Sequence, residues 1–269
     1  MGTDAANIIK FKWIKEFWQY RELFYFFIWR DFKVRYKQTV LGALWAVIQP
    51  FFTMIVFTIF FGKFAKMPSE GVPYPVFSYS ALVPWTFFSS AVGNSGNSLI
   101  GNSDLLTKVY FPRFAIPASA ALSGIMDFFI ASTILFGIMV YYHIPLTWSL
   151  LLWPVLVIPL IVLALGLGMI FSSLNVKYRD IKYTIPFVIQ TLLFITPIIY
   201  PISILPERYQ KISALNPMTG IIEAFRSTVL PDKKMDVMLL SFSIVVSILI
   251  FLVGLMYFRQ TEKEFADIV

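Results

Sequence analysis

Residues 151–176 read LLWPVLVIPLIVLALGLGMIFSSLNV and lie inside a stretch from Ile144 to Val176 that contains no Asp, Glu, Lys or Arg. Such a run exceeds the roughly 18 apolar residues that indicate a membrane-spanning helix. Four other runs also lack these charged residues, at 41–61, 72–100, 183–206 and 237–258. A sixth apolar run, 114–142, is interrupted by a single acid, Asp127.

The composition of the whole chain agrees with these runs. Of its 269 residues, 58% are hydrophobic and 14% are charged, whereas soluble domains carry about 25% charged residues. We therefore predict an all-α integral membrane protein with six transmembrane helices. The predicted spans cover about 39–61, 77–98, 115–142, 149–174, 184–202 and 237–258.

The basic residues predict the orientation of these spans. If the N-terminus is cytoplasmic, 15 of the 22 Lys and Arg residues lie on the cytoplasmic side, as the positive-inside rule requires. This rule also accounts for the net charge of +7 without a nucleic-acid partner. We expect a multi-pass protein of the cytoplasmic (inner) membrane with both termini in the cytoplasm.

The chain before the first span is predicted to be a separate unit, residues 1–38. Between residues 7 and 37, apolar side chains recur at three- or four-residue steps, which is typical of an amphipathic helix lying flat on a membrane, apolar face down. A solvated arm is the alternative. The apolar positions are Ile14, Phe17, Trp18, Phe24, Ile28 and Phe32. Residues 39–258 then form the six-span domain, and residues 259–269 a cytoplasmic tail.

The segment 203–236, between spans five and six, is too apolar for an ordinary outer loop and too short to cross the membrane twice. We predict short re-entrant or interfacial helices there. Asn216 and Pro217 are typical of a helix start, since proline is tolerated in the first turn. Glu223 and Arg226 can pair on one helix face, and an exposed pair of this kind contributes about 0.2–0.5 kcal/mol.

The cytoplasmic loop Ser98–Arg113 mixes apolar and charged side chains. Asn102 or Ser103 can cap a short helix that runs through Lys108 and ends before Pro112. The composition suits the docking of a soluble partner, and a surface helix on lipid is the alternative. The candidate contact residues of this loop are Asn102, Asp104, Leu105, Lys108, Val109, Tyr110, Phe111 and Arg113.

Asp127 and the small residues of span four have structural interpretations. A carboxylate inside a span costs about 2.5–3.5 kcal/mol, so we expect Asp127 to form a hydrogen bond with Ser, Thr, Asn94, Asn97 or Gln190. A proton relay is the alternative. Ala164, Gly168 and Ser172 lie at four-residue steps and predict close helix packing.

Aromatic residues make up 18% of the chain. Interfacial anchoring accounts for many of them, whereas rings that line a pore would stack on sugars. The candidates for such a lining are Trp45, Trp85, Phe87, Phe88, Phe194 and Tyr200.

The sequence contains no pattern typical of an enzyme. It has one histidine, His143, no cysteine, no metal-ligand spacing and no nucleophile with a neighbouring base. A phosphate-binding loop of the GxxxxGK[ST] type is also absent. We expect no catalytic residue, metal or cofactor on this chain, so that any ATP and Mg would be bound by a partner subunit.

Several sequence blocks, in order, resemble the ABC-2 type permeases of polysaccharide export. The blocks are RDFKVRYKQTVLGALW (30–45) with QP (49–50), LVPWTFF (82–88), KVYFPR (108–113), Phe171 with YRD (178–180), TPIIY (196–200) and NPMTGIIEAFR (216–226). The resemblance extends from about residue 10 to the end of the chain. The O-antigen exporters are the preferred branch, and teichoic-acid exporters share these patterns.

The resemblance implies a homodimer of six-span subunits, each bound to a cytoplasmic ATPase, that exports a polysaccharide linked to a polyprenyl pyrophosphate. It implies that residues 99–113 form the ATPase-coupling helix, that the N-terminal helix is a cytoplasmic gate, and that 203–236 form the outer gate. Arg30, Lys33, Arg35 and Lys37 are candidates for attracting the pyrophosphate.

Other functions stay open from the sequence. The alternatives with the same fold are export of teichoic acid, capsule, drugs or small lipids. A membrane-embedded transferase acting on lipid-linked sugar is an alternative from another class, although it would need an acid–base pair that the sequence does not show.

Overall fold

The computed structural model describes residues 19–37, 42–103, 111–231, 233–262 and 265, and the regular elements in these residues are all helical. The α-helices are α1 Arg21–Tyr36, α2 Trp45–Phe57, α3 Tyr74–Gly101, α4 Ala115–Leu122, α5 Ile125–Tyr141, α6 Trp153–Lys177, α7 Ile181–Ile195, α8 Glu207–Ala214, α9 Pro217–Val229 and α10 Val237–Thr261. A π-helical segment, Thr58–Phe64, continues α2, and short 3-10 turns cover Gly42–Leu44, Trp148–Leu152 and Ile202–Ile204.

Four helical stretches within the described residues are long and apolar enough to cross a membrane: Trp45–Phe64, Ala115–Tyr141, Trp148–Lys177 and Val237–Thr261. They correspond to the first, third, fourth and sixth predicted spans. The predicted second span is α3, which has 28 residues but carries many Ser and Asn side chains. The predicted fifth span is α7, which is apolar but has only 15 residues. The structure thus contains four candidate spans and two further helices at the predicted places.

Helix α3 lies at the centre of the bundle, where it contacts α2, α4, α5, α6 and α9, while α10 packs on the other side of α6. Small residues allow these contacts. A Cβ atom added at Gly168 would lie 2.3 Å from Ser95 Oγ of α3, and one at Gly254 would lie 2.4 Å from the carbonyl oxygen of Gly166. Ala164 and Ser172 are also fully buried. The close packing predicted for the small residues of α6 is confirmed.

Two predicted spans are interrupted or shortened. The third consists of α4 and α5, separated by Ser123 and Gly124, which keep near-helical dihedral angles. The fifth span was predicted to continue to residue 202, but α7 ends at Ile195. Thr196 adopts an extended conformation with ψ 138°, because the proline at position 197 disfavours helical geometry in the residue before it.

Candidate functional site

Helix α1 packs against the start of the third span. Phe24 and Phe27 are buried, and their ring centroids lie 5.9 Å from Phe114 and 5.5 Å from Phe111, respectively. The other sides of α1 expose Tyr25, Phe26 and Trp29. The helix therefore has apolar residues on more than one side, instead of the single apolar face that we predicted. Ile14, Phe17 and Trp18 lie outside the described residues, and a flat orientation on the membrane stays a prediction.

Polar contacts continue this interface along α1. Arg30 donates to Asp31 Oδ1 at 2.7 Å and to Asn102 Oδ1 at 3.2 Å. Ser119 Oγ of α4 donates to the other oxygen of Asp31 at 3.1 Å. Asp31 thereby joins α1 to α4, and Arg30 joins α1 to the residue that follows α3.

Asp127 binds the last turn of α1. Its Oδ2 accepts from Arg35 Nη1 at 2.5 Å, and its Oδ1 accepts from the hydroxyl of Tyr36. The second terminal nitrogen of Arg35 donates to Ser123 Oγ at 3.1 Å. Asp127 forms hydrogen bonds, as predicted, but the predicted partners are wrong. The partners are Arg35 and Tyr36 of α1 and not Ser, Thr, Asn or Gln side chains. The prediction considered cations only within other spans and thus overlooked Arg35.

The four basic pyrophosphate candidates occupy different environments. Arg30 and Arg35 form ion pairs with Asp31 and Asp127, so their charges are matched by carboxylates of the same chain. Lys33 is exposed and its ammonium lies 5.2 Å from the ring centre of Trp29. Lys37 is exposed as well. Among the four, only Lys33 and Lys37 present an exposed charge.

The predicted coupling loop is described at its two ends. Asp104, Leu105, Lys108, Val109 and Tyr110 lie outside the described residues, as does the short helix predicted through Lys108. At one end, α3 continues to Gly101 and the Asn102 side chain donates to the carbonyl of Ser98 at 2.8 Å. At the other end, Phe111 contacts α1, and Arg113 donates to the backbone carbonyl of Glu262 beyond α10. The loop is thus bounded by contacts with α1 and α10.

The segment 203–236 contains short helices, as predicted. The two helices, α8 and α9, differ in how far they are buried. Helix α8 is mostly exposed, whereas α9 is buried along nearly its whole length. The predicted helix start is confirmed, because Asn216 Oδ1 accepts from the backbone N–H of Met218 at 3.0 Å and Pro217 occupies the first turn. The Asn216 amide also donates to Thr196 Oγ1 at 2.9 Å. This contact joins the start of α9 to the end of α7.

Arg226 and Glu223 form the predicted pair at 2.9 Å. The pair is buried, since the Arg226 side chain is 0% and the Glu223 side chain 6% exposed, so the energy given above for an exposed pair does not apply to it. Arg226 also donates to the carbonyls of Pro197 and Ile198 at 2.5 and 2.6 Å. These carbonyls are free of helical partners because α7 ends at Ile195, so Arg226 satisfies backbone groups that the chain break would otherwise leave unpaired.

Further contacts join the Arg226–Glu223 pair to Lys233 and Glu70. We call these four residues the outer ion-pair cluster, after the side of the membrane on which the sequence predicts them. Lys233 binds both Glu223 and Glu70, the latter at 2.6 Å. The guanidinium carbon of Arg226 lies 3.8 Å from the ring centre of Phe77 in α3. The cluster thereby fixes α9 to α3 and to the chain segments that follow α2, α7 and α9.

Three of the predicted pore aromatics are core residues. Trp85, Phe87 and Phe88 are 5%, 3% and 0% exposed, and the ring of Phe87 packs on Phe128 of α5 at 5.9 Å. In this structure they leave no ring face for a sugar, which contradicts a pore-lining position within the subunit. Their positions on α3 could not reveal this burial, because α3 is buried on nearly all sides.

The other pore candidates lie at the subunit surface. Trp45 and Phe194 are each 56% exposed, whereas Tyr200 is partly buried, with its hydroxyl 3.3 Å from the carbonyls of Phe194 and Ile195. Phe194 belongs to an exposed stripe of α7 that we did not predict. The stripe consists of Tyr183, Phe187, Gln190, Thr191 and Phe194. Their three- and four-residue spacing places them on one face of the helix, a signal that was present in the sequence.

Comparisons with known proteins agree with the helical architecture and extend it. The family described as ABC-2 type transporter matches residues 22–230. An O-antigen export system permease protein RfbA of Myxococcus xanthus is 28% identical over 94% of this chain and 98% of its own length. A protein with the same description from Klebsiella pneumoniae is 31% identical over 89% and 92%.

A more distant relative carries another description. The polysialic acid transport protein KpsM of Escherichia coli is 26% identical over 87% of this chain and 91% of its own length. The family match covers most of the chain, from α1 to the end of α9, and includes the Arg35–Asp127 and Arg226–Glu223 pairs. The chain belongs to the ABC-2 type transporter family.

Proposed function

We propose that this chain is the permease subunit of an ATP-driven exporter that carries a lipid-linked, O-antigen-like polysaccharide across the cytoplasmic membrane. The observation that carries this proposal is the match to O-antigen export permeases over about nine tenths of both chains. The four candidate spans agree with a membrane permease. Helices α3 and α7 complete six spans in the proposed topology, with both termini in the cytoplasm.

The proposed energy source is a separate ATPase subunit that binds the loop 99–113. Support comes from the ends of this loop, which contact α1 and the chain beyond α10. Movement of the loop would therefore act on two parts of the permease at once. In this scheme ATP and Mg bind the partner, and this chain needs no cofactor.

The proposed translocation path runs between two copies of the chain, since a sugar polymer with its lipid needs more width than one six-helix bundle offers and a symmetric homodimer is the commonest assembly. The exposed stripe of α7 suits this path. Phe187 and Phe194 offer ring faces that stack on the C–H faces of sugars, and Gln190 and Thr191 offer hydrogen-bonding groups to the hydroxyls. Trp45, which is exposed at the start of α2, would extend the same lining.

The remaining proposed roles concern the two ends of the path. Lys33 of α1 and Lys37, directly after it, are exposed and would attract the pyrophosphate of the carrier, as basic residues near a membrane surface attract anionic groups. On the other side, α8 and α9 would form the outer gate, with α9 held by the outer ion-pair cluster and the exposed α8 free of such burial.

A second candidate substrate is a capsular polysaccharide. It is favoured by the similarity to KpsM, whose description names polysialic acid transport. The O-antigen relatives have higher identity, 28% and 31% against 26%, so O-antigen is preferred. Teichoic acid, drugs and small lipids lack such support among these relatives.

The test of the function is a deletion of the chain in its host. Loss of surface polysaccharide together with accumulation of the lipid-linked polymer inside the cell is expected. Re-expression of the chain should restore export, whereas re-expression beside an ATPase unable to hydrolyse ATP should not. Normal surface polysaccharide in the deletion strain would overturn the proposal, and a change in capsule alone would favour the second candidate.

The proposed orientation has its own test, because the natural chain contains no cysteine. Ser69→Cys should react with an impermeant thiol reagent from the outside, and Lys263→Cys only from the cytoplasmic side. Labelling of both positions from the same side would contradict the topology.

A further inference from the structure

Helix α1 connects two regions that are far apart in the sequence. Near its middle, Arg30 contacts Asn102 at 3.2 Å and Phe27 contacts Phe111, and these residues bracket the loop 103–110. In its last turn, Arg35 contacts Asp127 at 2.5 Å, 92 positions further along the chain. A rigid helix with contacts at both places can transmit displacement from one to the other.

The second contact is made where the third span is interrupted. Ser123 and Gly124 separate α4 from α5, and a Cβ atom added at Gly124 would lie 3.4 Å from Arg35 Nη1. The guanidinium therefore lies close to the backbone of Gly124. Arg35 donates one terminal N–H to Ser123 Oγ and another to Asp127 Oδ2, and the Tyr36 hydroxyl donates to Asp127 Oδ1. Both oxygens of Asp127 are thus bound by α1.

The contact with α1 matters for stability because Asp127 lies within a candidate membrane span, Ala115–Tyr141. Asp127 lies 12 residues beyond Ala115, which corresponds to about 18 Å along a helical path. A carboxylate inside a span without partners costs about 2.5–3.5 kcal/mol, and α1 provides the only cation that the described contacts give it. At the same time the two side chains are 26% and 24% exposed, so the protein encloses this pair less than a fully buried one and the pair can separate more readily.

We infer that Arg35, Tyr36, Ser123 and Asp127 form a latch that positions α1 on the interruption of the third span, so that a displacement of Asn102 or Phe111, which α1 contacts, also acts on α5. The four are positioning residues, and the inference rests on the proposed ATP-driven export. Without the latch, α1 keeps its contacts with Asn102, Phe111 and α4, but its displacement is no longer passed through Asp127 to α5. ATP hydrolysis then continues while export fails.

The test uses the full permease co-expressed with its ATPase. Asp127→Asn and Arg35→Gln each remove one charge of the latch, and Glu22→Gln makes the same acid-to-amide change on the exposed side of α1. The two latch variants should lose about five- to tenfold of the export per inserted permease, the range of a moderate coupling between sites. Their ATP hydrolysis should persist, and Glu22→Gln should leave both quantities unchanged.

The double variant Arg35→Asp with Asp127→Arg restores opposite charges in the reverse order and should recover most of the lost export. Unchanged export per permease in both single variants would overturn the latch. Failure of the reversed pair to recover export would overturn it as well, because the contact would then not depend on charge pairing. A parallel loss of inserted permease and export, with constant export per permease, would assign the residues to stability alone.

A cross-link measures the position of α1 directly and does not depend on transport. Asp31 and Ser119 lie within hydrogen-bond distance, so cysteines at these two positions should form a disulfide in the otherwise cysteine-free chain. Adding Asp127→Asn should lower the yield of the disulfide, and an unchanged yield would overturn the positioning role.

The latch and the proposed function can fail separately. If the unsubstituted complex showed no ATP-dependent export, the proposed function would fail, while the disulfide yield would still test the latch. If Asp127→Asn did not insert, Arg35→Lys, which keeps the charge but loses the fork to Ser123, should give an intermediate loss.

Discussion

Arg226 and Arg35 each form an ion pair with a carboxylate of the helical bundle, and they differ in what surrounds them. Arg226 is fully buried and binds a carboxylate of its own helix together with two backbone carbonyls. Arg35 is about a quarter exposed and binds a carboxylate on another element. A buried charge that loses its partner is costly, whereas a partly exposed pair is less enclosed by protein and separates at a lower cost. The first arrangement fixes a structure, and the second permits a movement.

The largest effect is expected at Arg226. Arg226→Met leaves the buried Glu223 with Lys233 as its remaining cation and removes the donor to the carbonyls of Pro197 and Ile198. Breaking a buried pair costs about 3–5 kcal/mol. We expect little permease in the membrane and a strongly lowered melting temperature of what remains. Arg208→Met, on the exposed helix α8, is the matched control and should accumulate normally. Normal accumulation of Arg226→Met would contradict the fixed character of the outer cluster.

Aromatic residues allow the same comparison between buried and exposed positions. Phe88 is 0% and Phe187 69% exposed. Phe88→Ala should destabilise the permease by about 3–5 kcal/mol and reduce its amount. Phe187→Ala should leave the amount unchanged and reduce export per permease by up to about tenfold, as expected for the loss of one ring contact.

The control for Phe187 is Phe242→Ala, an exposed ring on α10 outside the proposed path. Surface polysaccharide normalised to inserted permease separates the two kinds of residue. Equal normalised export for Phe187→Ala and Phe242→Ala would remove α7 from the translocation path.

A smaller effect is expected at the edge of the outer cluster. Lys233 is 21% exposed, and Lys233→Met leaves Glu223 paired with Arg226. We expect a loss of about 1 kcal/mol in the free energy of unfolding, near the upper end for accessible ion pairs, and normal insertion. Thermal unfolding in detergent would measure it. A loss as large as that of Arg226→Met would show that the cluster acts as one unit.

The smallest effect is expected for Asp31→Asn, which weakens the contacts of Asp31 with Arg30 in α1 and with Ser119 in α4 but keeps the side-chain shape. The Arg30–Asp31 pair is partly exposed, and such pairs contribute about 0.2–1 kcal/mol. The unfolding temperature should therefore change little. A marked fall in the unfolding temperature would show that this contact contributes as much as the buried Arg226–Glu223 pair.

The sequence predicted the elements whose cause is local. The apolar runs located the four candidate spans together with α3 and α7. Asn216 with Pro217 located the start of α9, because such signals act within a few residues. The ends of the helices were less accurate where a proline intervened, as at Pro197. The small residues of α6 also predicted their own packing, since they allow close approach whichever helix approaches.

The partners of charged and aromatic side chains were harder to predict, because they depend on which elements meet. Arg35 and Asp127 are 92 positions apart, and no local pattern joins them. The burial of Trp85 and Phe88 follows from the central place of α3, which its own sequence does not show. The exposed stripe of α7 had a periodic signal, but only the fold separates an exposed face from a buried one.

The most direct measurement of the proposed function is transport in inside-out membrane vesicles that contain the permease, its ATPase and the lipid-linked polysaccharide. We expect ATP to drive the polysaccharide into the vesicle lumen, where an added glycosidase cannot digest it. The Phe187→Ala permease should protect less polysaccharide per inserted molecule. Full digestion with and without ATP, at normal ATPase activity, would contradict export of this polymer by the chain.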